Sequence, residues 1–419
     1  MAGFGIGWRQ VASCFLLLAA VSFIASGYSI VAVPLAQEFK PSRMVLMLAM
    51  TVLSGASGLL SPLLGNLMDR ISLRAMMITG SVFLAAGYAA LSFTTSFSQV
   101  LVIFGVFVAP ANVLIGPITA TVLLSRWFVK RRGAALGVAI AGVAMGSVVY
   151  PPIVQWLLDH NAWREAFRLV ALVLLAGTMP AAALVVNRPG DRGLYADGSA
   201  SAPEVVGPRM PAAARVSVGR IVADPAFWLA AAIFATVLSG MKGMITNLAP
   251  IVLDHGIKAS GAALLISLYG GCGFVAKLSF AAAADRLGPR PLLYISLVGF
   301  GCGMVCLTQA AAGYWMIAAG VGLIGLLGGI MVPMQSLLVP RIFGDRVVGR
   351  AMGLITAVML CALLATPPLF GRIFDVTGSY TAIFVVFAVL AAAAAILGVP
   401  YLRLHIRAEA QPEPVPQAG

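Results

Sequence analysis

Recurring runs of about twenty apolar residues set the limits on what this chain can become. They fall near 11–36, 44–67, 74–93, 98–124, 134–157, 166–186, 226–253, 261–284, 291–310, 313–338, 350–371 and 379–403. At a rise of about 1.5 Å per residue, each is long enough to cross about 30 Å of hydrocarbon as a helix. Lipid offers no hydrogen bonds to a backbone, so segments of this kind must satisfy their own amides, which a helix does. Only 10% of the 419 residues are charged, where soluble domains carry about 25%. The expectation is an all-α membrane protein with twelve transmembrane helices in a lipid bilayer. The first run exceeds the length of a signal-peptide core and is read as a retained helix.

The formal charge is +13, and its distribution matters more than its size. With both termini on one side, nineteen of the 27 Lys and Arg fall on that side and six on the other. Short basic loops mark the cytoplasmic face, so the basicity is assigned to topology and no nucleic-acid partner is expected. Both termini are expected to be cytoplasmic. Ala/Gly/Arg-rich composition and compact loops associate the chain with a bacterial inner membrane. Cys14, Cys272, Cys302, Cys306 and Cys361 all lie in apolar runs without metal-ligand spacing, which suits buried thiols. His160, His255 and His405 sit at helix ends or in loops. No metal set, cofactor motif, nucleotide-binding loop or nucleophile–base pair stands out, so neither an enzyme nor a primary pump is expected.

The chain repeats itself. Asp69, Arg70 and Arg74 recur as Asp285, Arg286 and Arg290, an offset of 216 residues. Pro151, Pro152 and Asp159 recur at the same offset as Pro367, Pro368 and Asp375. The stretch 126–137 echoes 341–353 with one added residue. Such duplication predicts two six-helix, pseudo-symmetric bundles, the plan of carriers that rock two halves about a site near the midplane. The bundles are expected over 1–186 and 224–403, joined by a polar linker over 187–223 and followed by a disordered tail over 404–419.

Two basic residues interrupt helix interiors, Lys242 in the seventh and Lys277 in the eighth, while all fourteen acids fall at helix ends or outside them. An intramembrane charge costs about 2.5–3.5 kcal/mol on insertion scales and marks a functional site by default. Two ammoniums without an acid describe a site that awaits an anion. From helix geometry their α-carbons differ in depth by about 9 Å, within reach of one ligand held by two flexible stems. Tyr28, Asn112, Asn247, Tyr269 and Gln335 are neutral polar candidates for the same cavity. The plain alternatives are a Lys242 that snorkels or bonds helix carbonyls beside Gly240 and Gly243, and polar side chains that only join helices.

The loops GNLMDRISLR (65–74) and AAAADRLGPR (281–290) resemble the G-x-x-x-D-R-x-G-x-R motif of the major facilitator superfamily. That resemblance implies the major facilitator fold and a gating role for Asp69, Arg70, Arg74, Asp285, Arg286 and Arg290, which would brace helix ends in the outward-facing state. Ser72 replaces the second glycine of the first copy, and Ala281 the first glycine of the second. A narrower likeness lies in RWFVKRRGAALGVAIAGVAMG (126–146), which resembles the loop and fifth-helix pattern of the monocarboxylate transporter family. It is carried by Trp127, Phe128, Lys130, Arg131, Arg132, Ala135, Gly137, Ala139, Ala141 and Gly142. Small residues at this spacing let helices approach closely. In proton-coupled members an acid precedes the eighth-helix arginine by one turn; here Lys277 takes the arginine's place and Gly273 the acid's.

The resemblance implies a secondary transporter of small organic anions, monocarboxylates such as lactate or pyruvate, working by alternating access as a single-chain unit. The oxalate/formate branch is similar too. Lysine, unlike arginine, can give up its proton in a desolvated site, so proton symport and anion exchange both stay open. Dicarboxylate or oxalate exchange, an uncharged solute and drug efflux are the competing cargoes on the same fold.

Overall fold

A computed structural model of the chain describes residues 2–67, 71–129, 131–196, 218–343 and 348–398. Among these residues twelve helices are long and apolar enough to span a membrane. The first six are α1 (Gly5–Ser26), α2 (Arg43–Leu64), α3 (Leu73–Leu91), α4 (Phe97–Trp127), α5 (Arg132–His160) and α6 (Trp163–Ala183). The second six are α7 (Pro225–Asp254), α8 (Ala259–Phe280), α9 (Pro289–Thr308), α10 (Tyr314–Phe343), α11 (Arg350–Thr377) and α12 (Thr381–Gly398).

Local chemistry sets the ends. Asp224 caps α7, accepting from Ala226 N at 2.8 Å, and Pro225 follows at the first helical position, where its missing N–H costs nothing. Ser72 accepts from Ala75 N at the start of α3. Asn187, just beyond α6, accepts from Arg74 N at 2.9 Å and ties the end of the first half to α3. Within the expected linker, Pro189–Arg192 forms a 3-10 turn and Val218–Val222 a short helix; 197–217 and the tail from 404 lie outside the described residues.

Four helices are less regular than their hydrophobic runs suggest, among them α12 with a π turn at Ala394–Gly398. The first run is interrupted at Gly27 and continues as Tyr28–Phe39. A Cβ at Gly27 would stand 1.9 Å from the Phe23 ring, so only glycine fits this junction. α4 carries a π turn at Phe104–Val108 and a break at Ile115–Gly116, where the Thr119 hydroxyl donates to the freed Val113 carbonyl at 2.9 Å. α10 carries a π turn at Ile324–Gly328. The five cysteines are free, but Cys302 and Cys361 are exposed on the outside of the helices rather than buried.

The duplication seen in the sequence is visible in the packing. In the first half α1 packs on α5, in the second α7 on α11, and the halves meet through α2 with α11 and α5 with α8. Gly142 and Gly146 make the α1–α5 approach close, since a Cβ there would lie 2.2 Å from Phe15 O and 2.0 Å from Ala19 O. Gly137, from the same sequence pattern, has nothing within 4 Å.

Away from the linker, the halves are tied by a cluster on α2. The Asp375 carboxylate accepts from Arg43 N at 2.8 Å and Met44 N at 2.9 Å, and so caps α2 from the end of α11. The Arg43 guanidinium pairs with Asp254 at 2.6 Å and lies 5.0 Å over the Phe374 ring. Deeper along α2 the Thr51 hydroxyl donates to Leu364 O at 2.7 Å. On the other seam the Ser267 hydroxyl donates to Val148 O at 2.8 Å.

Candidate functional site

Five helices from both halves enclose a cavity of about 260 Å³. From the second half, α8 contributes Tyr269, Gly273 and Lys277, spaced four residues apart on one helical face. α7 adds Leu238, Lys242 and Ile245 at similar helical spacing, and α10 adds Gly325 and Gly329. The first half supplies Ser22 and Ser26 on α1 with Ser147 on α5. Both basic side chains therefore come from one bundle and the serine hydroxyls from the other.

Glycines at the α10 π turn bring its backbone against α8. A Cβ at Gly325 would stand 2.8 Å from Tyr269 O, and one at Gly329 would be 3.3 Å from Gly273 Cα. The lysine-bearing stripe of α8 is thus backed by main chain rather than by bulky side chains. Departures from regular helix at membrane depth are tolerated where they are buried in protein or line a cavity.

The two lysines differ in their bonding. Lys242 Nζ donates to Ser54 Oγ on α2 at 2.5 Å, a contact between the halves. For Lys277 no hydrogen-bond or ion-pair partner is found among the described residues. No carboxylate lines the cavity, and no group of His, Cys, Asp or Glu suited to a metal occurs among the described residues. Ser22 and Ser26 donate to carbonyls of their own helix at 2.9 and 2.8 Å, leaving oxygen lone pairs on the hydroxyls. To donate to an anion they would have to rotate away from those carbonyls.

Of the residues expected at a site, the cavity brings together Lys277, Lys242 and Tyr269. The other four bond within the protein, although the buried Asn247 Oδ1 is left without a partner. Tyr28 is buried, donates to Leu46 O and meets the Phe104 ring edge-on. Asn112 donates to Ser57 Oγ at 3.2 Å, joining α4 to α2. Asn247 donates to Gly243 O at 2.9 Å within α7, and Gln335 lies 3.6 Å from Met359 Sδ on α11. Ser22, Ser26, Ser54 and Ser147 were not among the candidates; the one sequence signal is Ser22 and Ser26 four apart in an apolar run.

The expected gating residues are only partly described. Asp69 and Arg70 lie outside the described residues. Arg74 is exposed at the start of α3. Asp285 and Arg286 fall in the last turn of the helix that continues α8 to Leu287, and Arg290 opens α9 half-buried.

Comparison with known proteins agrees with this architecture. The profile of the Major Facilitator Superfamily matches residues 15–252 and 234–419. Monocarboxylate transporter 11 of Mus musculus is 30% identical over 395 residues, covering 91% of this chain and 84% of that protein. Monocarboxylate transporter 12-B of Danio rerio is 24% identical over 422 residues, covering 95% and 88%. Monocarboxylate transporter 4 of Rattus norvegicus is 24% identical over 388 residues, covering 91% and 80%. Twelve spanning helices, a repeated half and a profile that matches both halves agree: the chain belongs to the Major Facilitator Superfamily, a transporter and not an enzyme, and within that superfamily it resembles the monocarboxylate transporter branch.

Proposed function

We propose that this protein carries small organic anions, monocarboxylates of the lactate or pyruvate type, across a membrane by alternating access. One observation carries the reading: Lys242 and Lys277 line a single cavity between the bundles, and among the described residues no carboxylate lines it with them. A carboxylate is the complement of such a site, because charge-assisted hydrogen bonds from ammoniums are about twice as strong as neutral ones. The volume of about 260 Å³ accommodates a small organic acid. An uncharged solute would leave both ammoniums without a counter-charge.

Lys277 is the principal ligand in this reading, with Lys242 second and Tyr269 shaping the cavity. Two ammoniums in one cavity also suit a dicarboxylate such as oxalate, so the charge of the cargo is part of the test. Coupling is either proton symport or anion exchange. The paired Asp-Arg-x-x-x-Arg motifs act as gates, and both termini face the cytoplasm, in a bacterial inner membrane. The test is uptake of labelled lactate, pyruvate, formate and oxalate into proteoliposomes, beside protein-free vesicles and under imposed pH and anion gradients. Saturable uptake of one or more acids is expected. Equal traces with and without protein, for every acid and gradient, would contradict the proposal.

A further inference from the structure

In net transport, a carrier of this kind returns across the membrane with its binding lysines unfilled. An unpaired ammonium in a closing, low-dielectric cavity opposes that step. For Lys242 the structure holds a substitute. Its Nζ donates to Ser54 Oγ at 2.5 Å, and the two residues belong to opposite bundles, α7 and α2. Ser54 sits about one turn beyond Thr51, whose hydroxyl bonds Leu364 O at 2.7 Å. Farther out on the same helix, Asp375 caps Arg43 N and Met44 N. α2 is therefore held to the second half at three levels, and the innermost is the bond to a lysine that lines the cavity.

The chemistry of this bond suits a placeholder. A hydroxyl satisfies one of the three ammonium donors but carries no charge. A carboxylate makes the stronger, charge-assisted bond to the same donor and displaces the hydroxyl readily. Ser54 is not among the residues that line the cavity, although Lys242 is.

We propose that Ser54 is a positioning residue that holds the Lys242 ammonium in place of a substrate carboxylate when the carrier is empty, and so lowers this lysine's share of the barrier to reorientation of the unloaded protein. The inference rests on the anion-carrier reading above. Its consequence separates two modes of transport. Net uptake requires an empty return in every cycle, whereas exchange brings the carrier back loaded. Removal of the hydroxyl should slow net uptake and spare exchange.

The test uses the full-length chain in proteoliposomes and whichever of lactate, pyruvate, formate or oxalate the wild type moves fastest. Net uptake into empty vesicles is compared with exchange against the same unlabelled acid, for wild type, Ser54→Ala, Ser54→Cys and Ser54→Thr. The expected result is a net-to-exchange ratio lowered about tenfold in Ser54→Ala. Ser54→Cys should fall between, since sulfur is a weak acceptor, and Ser54→Thr should return towards wild type. Retained exchange shows that a variant is folded. Equal loss of both modes, or an unchanged ratio, overturns the inference and leaves the carrier reading intact. Wild-type exchange with no net uptake at all also overturns it. A wild type that moves no acid in either mode removes the carrier reading, and this inference with it.

Discussion

Lys242 and Lys277 share a cavity but not a state of bonding, and that difference sets what each can contribute. Lys242 reaches across the bundle interface to Ser54 Oγ, while Lys277 has no partner among the described residues. Gly273 lies four residues before Lys277 on the same cavity-lining stripe. An acid four residues N-terminal to a lysine is the favourable orientation for a helical ion pair. Gly273→Asp should therefore pair with Lys277 and compete with the cargo, raising the KM for carboxylate uptake about tenfold; an unchanged KM would mean that the substrate does not rely on Lys277. Both lysines were legible in the sequence because a charge inside an apolar run has few structural excuses. Tyr28, Asn112, Asn247 and Gln335 were not separable in the same way. A neutral polar side chain within a membrane helix serves equally well as an internal hydrogen bond, and here each of them does so. The cavity serines were harder still: beyond the four-residue spacing of Ser22 and Ser26, a hydroxyl bonded to its own helix leaves little mark in a sequence.

Among the helices, glycine positions decide which surfaces meet. Gly142 and Gly146 face the α1 backbone at distances that leave no room for a Cβ, whereas Gly137, one and a half turns earlier, faces open space. Gly146→Val should lower thermal stability by at least about 1–3 kcal/mol, the usual cost of overpacking. Gly137→Ala should be neutral or stabilise by about 0.5–1 kcal/mol through helix propensity. Thermal unfolding of the purified variants in detergent checks both, and equal effects at the two positions would contradict the packing described. The small-residue pattern was visible in the sequence, but which of its glycines face a neighbour is set by helix rotation and needed three dimensions. The π turn in α10 and the interruptions at Gly27 and Ile115–Gly116 were likewise hidden inside continuous apolar runs.

For the whole molecule, the repeat was the most informative feature of the sequence. The 216-residue offset predicted two similar bundles, and the seams exchange under that repeat: α2 with α11 and α5 with α8. The repeat in sequence is not a repeat in contacts. Asp375 caps α2 across the interface, while its counterpart Asp159 accepts from Gln155 in its own helix at 2.8 Å and leaves α8 without a side-chain cap. The cavity lining is equally lopsided, with both lysines in the second half and Ser22, Ser26 and Ser147 facing them from the first. The central claim is that Lys277 holds the carboxylate of the cargo. Its most direct test is the initial rate of carboxylate uptake by Lys277→Gln beside wild type, in proteoliposomes of matched and folded protein. Loss of a hydrogen bond to a charged group costs about 1.5–3 kcal/mol, so kcat/KM should fall by about 10- to 150-fold; uptake at the wild-type rate would contradict the account.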